Sequence, residues 1–280
     1  MGSRDAARVD HVKRDRHVAA AIANIEKKFG HGAIQRLGAT ATSDVQVIPL
    51  GLAELDRMVG VGGLPRGRIV EVLGPESAGV STLLLHAVAA AQRRGGIAAL
   101  IDVDRSFDPE YARRIGIDLN SLFIAQPDDG AMALEIVDAL VRSTAFDMVA
   151  VDSVPALEPP GQTDTDANAS RGARQGRLLS EALRRLAAGV DRTRTVLLFG
   201  NHTTPSVGDD ATEQTSGGRA LPFYASVRIG LKKRELIREL FAIVGTQVEA
   251  TTIKNKVAPP LRVATLDLMF GKGFVQAQAA

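Results

Sequence analysis

One block constrains this chain more than any other: residues 69–92, IVEVLGPESAGVSTLLLHAVAAAQ. A run of β-branched and apolar residues ends in a glycine-rich turn, and an Ala- and Leu-rich stretch long enough for a helix follows at once. A strand, a tight turn and a helix in that order deliver backbone N–H groups and a helix amino terminus to one point, which is what bound phosphate needs. The phosphate-loop pattern GxxxxGK[ST] is met at Gly74, Gly79 and Ser81, and fails at Val80, where it calls for lysine.

The rest of the chain fits a domain built around that unit. Strand signals recur at 69–73, 98–103, 147–152 and 195–199, with helical spacing of apolar residues over 131–141 and 177–186 between them. This alternation predicts an α/β fold, a mostly parallel twisted sheet flanked by helices. Strands near 225–231, 247–254 and 263–270 follow with little helix between them except around 232–241, so an antiparallel or mixed extension is expected there. Residues 1–16 mix charges densely and read as a solvated tail. Val18, Ala21, Ile22, Ile25 and Phe29 then lie at helical spacing before Gly30 and Gly32, an amphipathic helix whose stripe folds back on its own core or docks on another subunit. Two segments, 158–170 and 203–218, have no periodicity and are rich in Gly, Pro, Thr and Asp.

Composition narrows the function classes. With no cysteine, a disulfide framework, a thiol nucleophile and Cys-ligated zinc are excluded, and the five histidines show no metal-ligand spacing. A net charge of +2 makes any nucleic-acid site a local patch, and 4% aromatic residues with no Trp argue against a base-stacking platform. No apolar run approaches a membrane span and the amino terminus lacks a signal-peptide core, so the cytoplasm is the expected location and no membrane partner is expected.

Taken together, IEKKFGHGAIQRLG, GGLPRGRIVEVLGPES, DPEYARRIGID, VDSVPAL, GGRALPFYASVR and KNKVAPP resemble the bacterial RecA recombinase family almost continuously over 18–270. The resemblance implies a RecA-like P-loop NTPase core over 46–280, an oligomerisation helix and linker over 17–45, and absence of the family's carboxy-terminal domain. It also implies roles for individual residues. Gly74, Pro75, Glu76, Ser77, Ala78, Gly79, Val80, Ser81 and Thr82 correspond to the nucleotide loop, and Tyr111 to the residue near the adenine. Ser81 and Asp152 correspond to the residues that hold and organise magnesium. Asp104 stands where the family has the Glu that orients the attacking water, and His202 where it has the Gln that senses the terminal phosphate. The Asp is one methylene short, and displacements of about 1 Å cost on the order of a hundredfold in rate. Three departures, Val80, Asp104 and His202, fall on one site.

The segments 158–170 and 203–218 match the family's two DNA-binding loops in position but not in chemistry. They carry Glu158, Asp164 and Asp166 in the first, and Asp209, Asp210 and Glu213 with no Lys or Arg in the second. Phosphate affinity rests on cations. Gly217 and Gly218 still match backbone donors, and Arg177 and Arg184 match arginines lining the DNA path, within a set that includes Arg171, Arg174 and Arg185. Weak single-stranded DNA binding without strand exchange is the expectation. Lys254 and Lys256 correspond to the lysines that reach a neighbour's ATP across the filament interface, and Phe223 to another interface position.

These features imply a catalytically impaired paralog in DNA repair and the SOS response, with weak ATP and Mg2+ binding and lost or very weak hydrolysis. Its expected partners are a RecA filament, which it binds or caps, further copies of itself through the amino-terminal helix, or a translesion polymerase. The other reading is a working ATP-dependent recombinase in which a basic residue such as Arg93 supplies the missing charge.

Overall fold

The computed structural model describes residues 2–34, 45–159, 171–204 and 214–276. The chain divides into two compact units, Met1–Asp44 and Val45–Ala280. The first is a helix, α1 (Gly2–Phe29), that ends at Gly30, whose φ is 96°. It begins at Gly2 and not at Val18, so residues 2–16, expected as a tail, are helical. Arg, a good helix former, is frequent there, with Ala6, Ala7 and Lys13 beside it. Val18 and Phe29 leave 51% and 68% of their surface exposed.

The second unit starts with β1 (Val47–Ile48), α2 (Ala53–Val59) and β2 (Leu64–Pro65), β1 and β2 forming a small antiparallel pair. Then come β3 (Ile69–Gly74), α3 (Val80–Arg93), β4 (Ala98–Asp102), α4 (Pro109–Ile115), β5 (Leu122–Ala125), α5 (Gly130–Arg142), β6 (Met148–Asp152), α6 (Arg171–Thr193), β7 (Val196–Thr204), β8 (Gln214–Thr215) and α7 (Ala220–Tyr224). Four further strands follow: β9 (Val227–Glu239), β10 (Ala242–Asn255), β11 (Val263–Met269) and β12 (Gly273–Gln276).

One ten-stranded sheet runs in the order β12-β11-β10-β9-β3-β7-β6-β4-β5, with β8 on the end of β7. From β9 to β5 the neighbours are parallel, and from β9 to β12 antiparallel. The antiparallel extension is as the sequence predicts, but the helix expected near 232–241 is absent: those residues continue β9 and turn into β10. Pairing with β10 overrides the helical spacing of that stretch.

Every residue of β3, β4 and β6 is buried, as parallel strands covered on both faces require. One apolar cluster lies between the sheet and α2–α3, including Leu55, Leu83, Leu84 and Val88, and a second between the sheet and α5–α6, including Leu134, Val137, Leu183 and Phe199. The parallel strands therefore present their carboxyl ends along one edge, where such folds bind ligands. No helix among the described residues is long and apolar enough to cross a membrane.

Candidate nucleotide site

The strand register brings the sequence-predicted residues together at that edge. Gly74 at the end of β3 lies opposite His202 on β7, and Asp152 at the end of β6 opposite Asp102 on β4. Between Gly74 and α3 the loop is closed by an Ala78 N–H to Pro75 carbonyl bond of 3.1 Å, with Ser77 and Gly79 at φ 60° and 92°. Glycine is required at 79 on two counts: the left-handed backbone, and a Cβ that would lie 2.6 Å from the ring of Phe274. The loop thus has the backbone a phosphate cradle needs.

Val80 is only 3% exposed and belongs to the core cluster beneath α3. Its Cγ1 and the Oδ1 of Asp152 close over Gly200, where a Cβ would lie 3.2 and 3.1 Å from them. That carboxylate oxygen is buried without a hydrogen-bond partner. Burial pushes the Asp152 carboxyl up to about 6, with the Asp104 and Asp102 charges adding to the shift while a Ser81 hydrogen bond and His202 oppose it. A desolvated carboxylate with one unpaired oxygen, beside the Ser81 hydroxyl, is a donor set that suits a divalent cation, so Ser81 and Asp152 fit the magnesium of a bound nucleotide. A valine packed into the core thus stands where the phosphate-loop pattern calls for lysine. Asp152→Asn is therefore expected to stabilise the protein by about 1–2 kcal/mol at pH 7 in urea denaturation; a loss of stability would mean that the Ser81 hydrogen bond outweighs the cost of burial.

Asp104 is exposed, and its carboxylate accepts from the Ser153 N–H at 3.2 Å and from the Ser153 hydroxyl at 3.0 Å. The Asp152–Ser153 peptide bond is cis. His202 has a buried Nδ1 without a partner. The Tyr111 hydroxyl lies 3.0 Å from that of Thr82 on α3, and α4, which carries Tyr111, is capped by Asp108 accepting from Glu110 and Tyr111 N–H groups. Arg93 does not reach the site. It is the last residue of α3, about 20 Å along the axis from Val80, and donates to the Leu50 carbonyl.

Lys254 and Lys256 lie elsewhere. Lys254 pairs across strands with Arg228, itself opposite Glu71, and the Lys256 N–H bonds to Ser226, whose N–H bonds to Ile69. Both lysines therefore sit toward the amino ends of the parallel strands, the edge away from Gly74, and cannot serve their own loop. Lys254 Nζ donates to the Pro222 and Phe223 carbonyls at 2.6 and 2.9 Å, and burial, with Lys256 and Arg228 nearby, lowers its pKa. Arg177 shares a cleft of about 970 Å³ with Arg219, Lys254, Phe223 and Gly218, whereas Arg184 is an exposed helix residue that does not line it. The acidic positions Asp164, Asp166, Asp209, Asp210 and Glu213 fall outside the described residues.

Two polar residues that sequence reasoning missed tie this edge to the turn at Gly217. Gln175, 7% exposed, donates to the Val154 and Pro155 carbonyls and accepts from the Gly217 N–H at 3.0 Å. Asn201 donates to buried Glu71 at 2.8 Å and to the Ser216 carbonyl at 3.1 Å, while Arg228 holds the other Glu71 oxygen. Gly217, at φ 81°, has the Leu179 methyl 2.4 Å from where its Cβ would be, so no larger residue fits this turn.

The RecA N-terminal domain family matches residues 16–275. Among curated proteins, RecA of Enterococcus faecalis is 47% identical over 94% of this chain and 76% of its own length. RecA of Tropheryma whipplei is 46% identical over 94% of this chain, which spans 61% of that relative's length; for RecA of Clavibacter michiganensis the figures are 45%, 93% and 72%. Among solved structures, the RadB recombinase is similar in fold, with a TM-score of 0.63 at 18% identity, covering 83% of this chain and all of that one.

Proposed function

The chain belongs to the RecA family, and from that premise we propose that it is a catalytically impaired RecA-like accessory protein of DNA repair, which adds to a RecA filament end and stops its growth. The observation that carries this reading is Val80: a buried apolar side chain stands where the loop needs a cation, beside a magnesium-type carboxylate with one buried oxygen left without a partner. Backbone groups of residues 74–79 with Ser81 and Asp152 would still hold ATP and Mg2+ weakly. When bound, that nucleotide would supply the terminal phosphates that a neighbouring subunit's cations engage.

Hydrolysis suffers more than binding, because charge developing on the transferred phosphoryl group needs preorganised positive groups. Asp104 and His202 add two further departures from the family pattern. Lys254 and Lys256, in contrast, are retained at the sheet edge away from the subunit's own loop, where Lys254 would exchange the Pro222 and Phe223 carbonyls for a neighbour's phosphates. A subunit of this kind completes the site before it and offers a defective one to the subunit after it. Supporting a translesion polymerase from a filament end is a role compatible with the same surfaces.

Growth of Enterococcus faecalis RecA filaments on single-stranded DNA, followed by fluorescence, is expected to be inhibited at substoichiometric amounts of this protein. The double variant Lys254→Ala, Lys256→Ala is expected to lose that inhibition. Equal inhibition by the double variant contradicts the proposed capping geometry.

A further inference from the structure

Two buried polar atoms have no hydrogen-bond partner, the Asp152 Oδ1 and the His202 Nδ1, and both belong to the strand ends around the phosphate loop. Leaving either unpaired in the interior is unfavourable, so two of them at one place point to something that both would bind. The strands put them on one face of the sheet. A Cβ at Gly200 would lie 3.1 Å from the Asp152 Oδ1 and 3.2 Å from the Val80 Cγ1, and His202, two residues further along β7, turns its ring to the same face as that Cβ. With glycine at 200, no side chain of β7 stands between the ring and the carboxylate. The Nδ1 and the Oδ1 do not bond to each other either, so the gap between them is wider than a hydrogen bond.

The charge around the pair indicates a cation. Asp104 and Asp102 both bear on Asp152 with like charge, and Val80 stands where an ammonium would offset them. Asp102 is committed to the Ser106 and Phe107 N–H groups and the Gln126 amide, and Asp104 to Ser153. Arg105, next in the chain to Asp104, is held by Asp128. Among the described residues no three His, Asp or Glu side chains could hold a metal ion together, so the third donor is of another kind: the Ser81 hydroxyl, which hydrogen-bonds Asp152. In a set of one nitrogen and two oxygens the nitrogen decides the metal. Magnesium takes oxygen donors, whereas imidazole suits the first-row transition ions and zinc. An ion about 2 Å from each atom bridges a gap that a hydrogen bond cannot.

We infer that His202, Asp152 and Ser81 form a binding site for a divalent first-row transition metal or zinc, in preference to magnesium. The site is that of the proposed function, but the inference does not depend on ATP, and the test uses the nucleotide-free chain. Its failure leaves the impaired-ATPase reading standing, and tight ATP binding would leave the metal site standing. Binding of Co2+ and of Mg2+ is measured by calorimetry on the full chain, with urea midpoints showing that each variant is folded. The native chain is expected to bind Co2+ at least tenfold more tightly than Mg2+. His202→Gln is expected to weaken Co2+ at least tenfold and leave Mg2+ unchanged, while Asp152→Asn weakens both. His31→Gln, at an exposed histidine away from the sheet, is expected to change neither. Pulsed EPR of Mn2+ bound to the native chain, a readout that needs no variant, is expected to show coupling to a nitrogen nucleus. Co2+ bound no more tightly than Mg2+, an unchanged Co2+ affinity in His202→Gln, or bound Mn2+ without a coupled nitrogen would overturn the inference.

Discussion

Val80→Lys is expected to bind ATP with magnesium at least tenfold, and up to about a hundredfold, more tightly than the native chain. Each charge-assisted hydrogen bond to phosphate contributes roughly 1.5–3 kcal/mol, or about one to two decades in affinity. The rest of the cradle is in place: the loop closes through Pro75 and Ala78, Gly79 has the left-handed backbone, and Ser81 stands against Asp152. The new ammonium would also give the Asp152 carboxylate a nearby counter-charge, which offsets part of the cost of removing Val80 from the core. Isothermal calorimetry measures the gain directly. Turnover is expected to stay low in this variant, because Asp104 and His202 remain, and to rise further only when Asp104→Glu and His202→Gln are added. An affinity no greater than that of the native chain would show that the loop backbone, and not the missing cation, limits binding.

The second large effect is acid destabilisation through His86. This histidine lies on the buried face of α3, and its Nε2 accepts the Phe274 N–H at 2.9 Å, fastening β12 to the helix that follows the phosphate loop. Burial, with Arg93 adding repulsion, pushes its pKa down to about 4 from 6.5. The neutral imidazole is the form that folds, so the unfolded chain binds more protons between those values. Stability is therefore intact above pH 6.5 and is lost as the pH falls toward 4, by about 3 kcal/mol for this group. Asp152 works in the opposite sense over nearly the same range, since its raised pKa favours the folded state on protonation. The His86 slope is best read in an Asp152→Asn background. Urea denaturation of that variant between pH 7 and 4 is expected to show the loss, and addition of His86→Gln to remove it. An equal slope with and without His86 would place the acid sensitivity elsewhere.

Much of the site was legible because it is local. Residues 69–92 carry a strand, a glycine turn and a helix in one continuous pattern, and the structure reproduces all three. What could not be read depends on contacts far apart in sequence. Nothing near Asn201 announces its bond to Glu71, 130 residues away, nor does Gln175 announce its bond to Gly217, 42 residues away. The stretch KKRELIRELF misled for a different reason. Its apolar residues recur at helical spacing among good helix formers, yet pairing of Leu236 with Thr246 and Arg238 with Ile243 holds it as a ribbon. Arg93 as a substitute cation was open from sequence and is ruled out by its place at the far end of α3. The orphaned state of the Asp152 oxygen has no sequence signal at all, because it depends on which groups the fold withholds.

The central claim is that this nucleotide site no longer turns over ATP, and calorimetry of ATP binding with magnesium, paired with turnover on single-stranded DNA, tests it most directly. The account predicts a dissociation constant weaker than about 100 μM, near −5.5 kcal/mol, and no DNA-stimulated hydrolysis. Tight binding with robust DNA-stimulated turnover would contradict it and establish a working recombinase despite Val80.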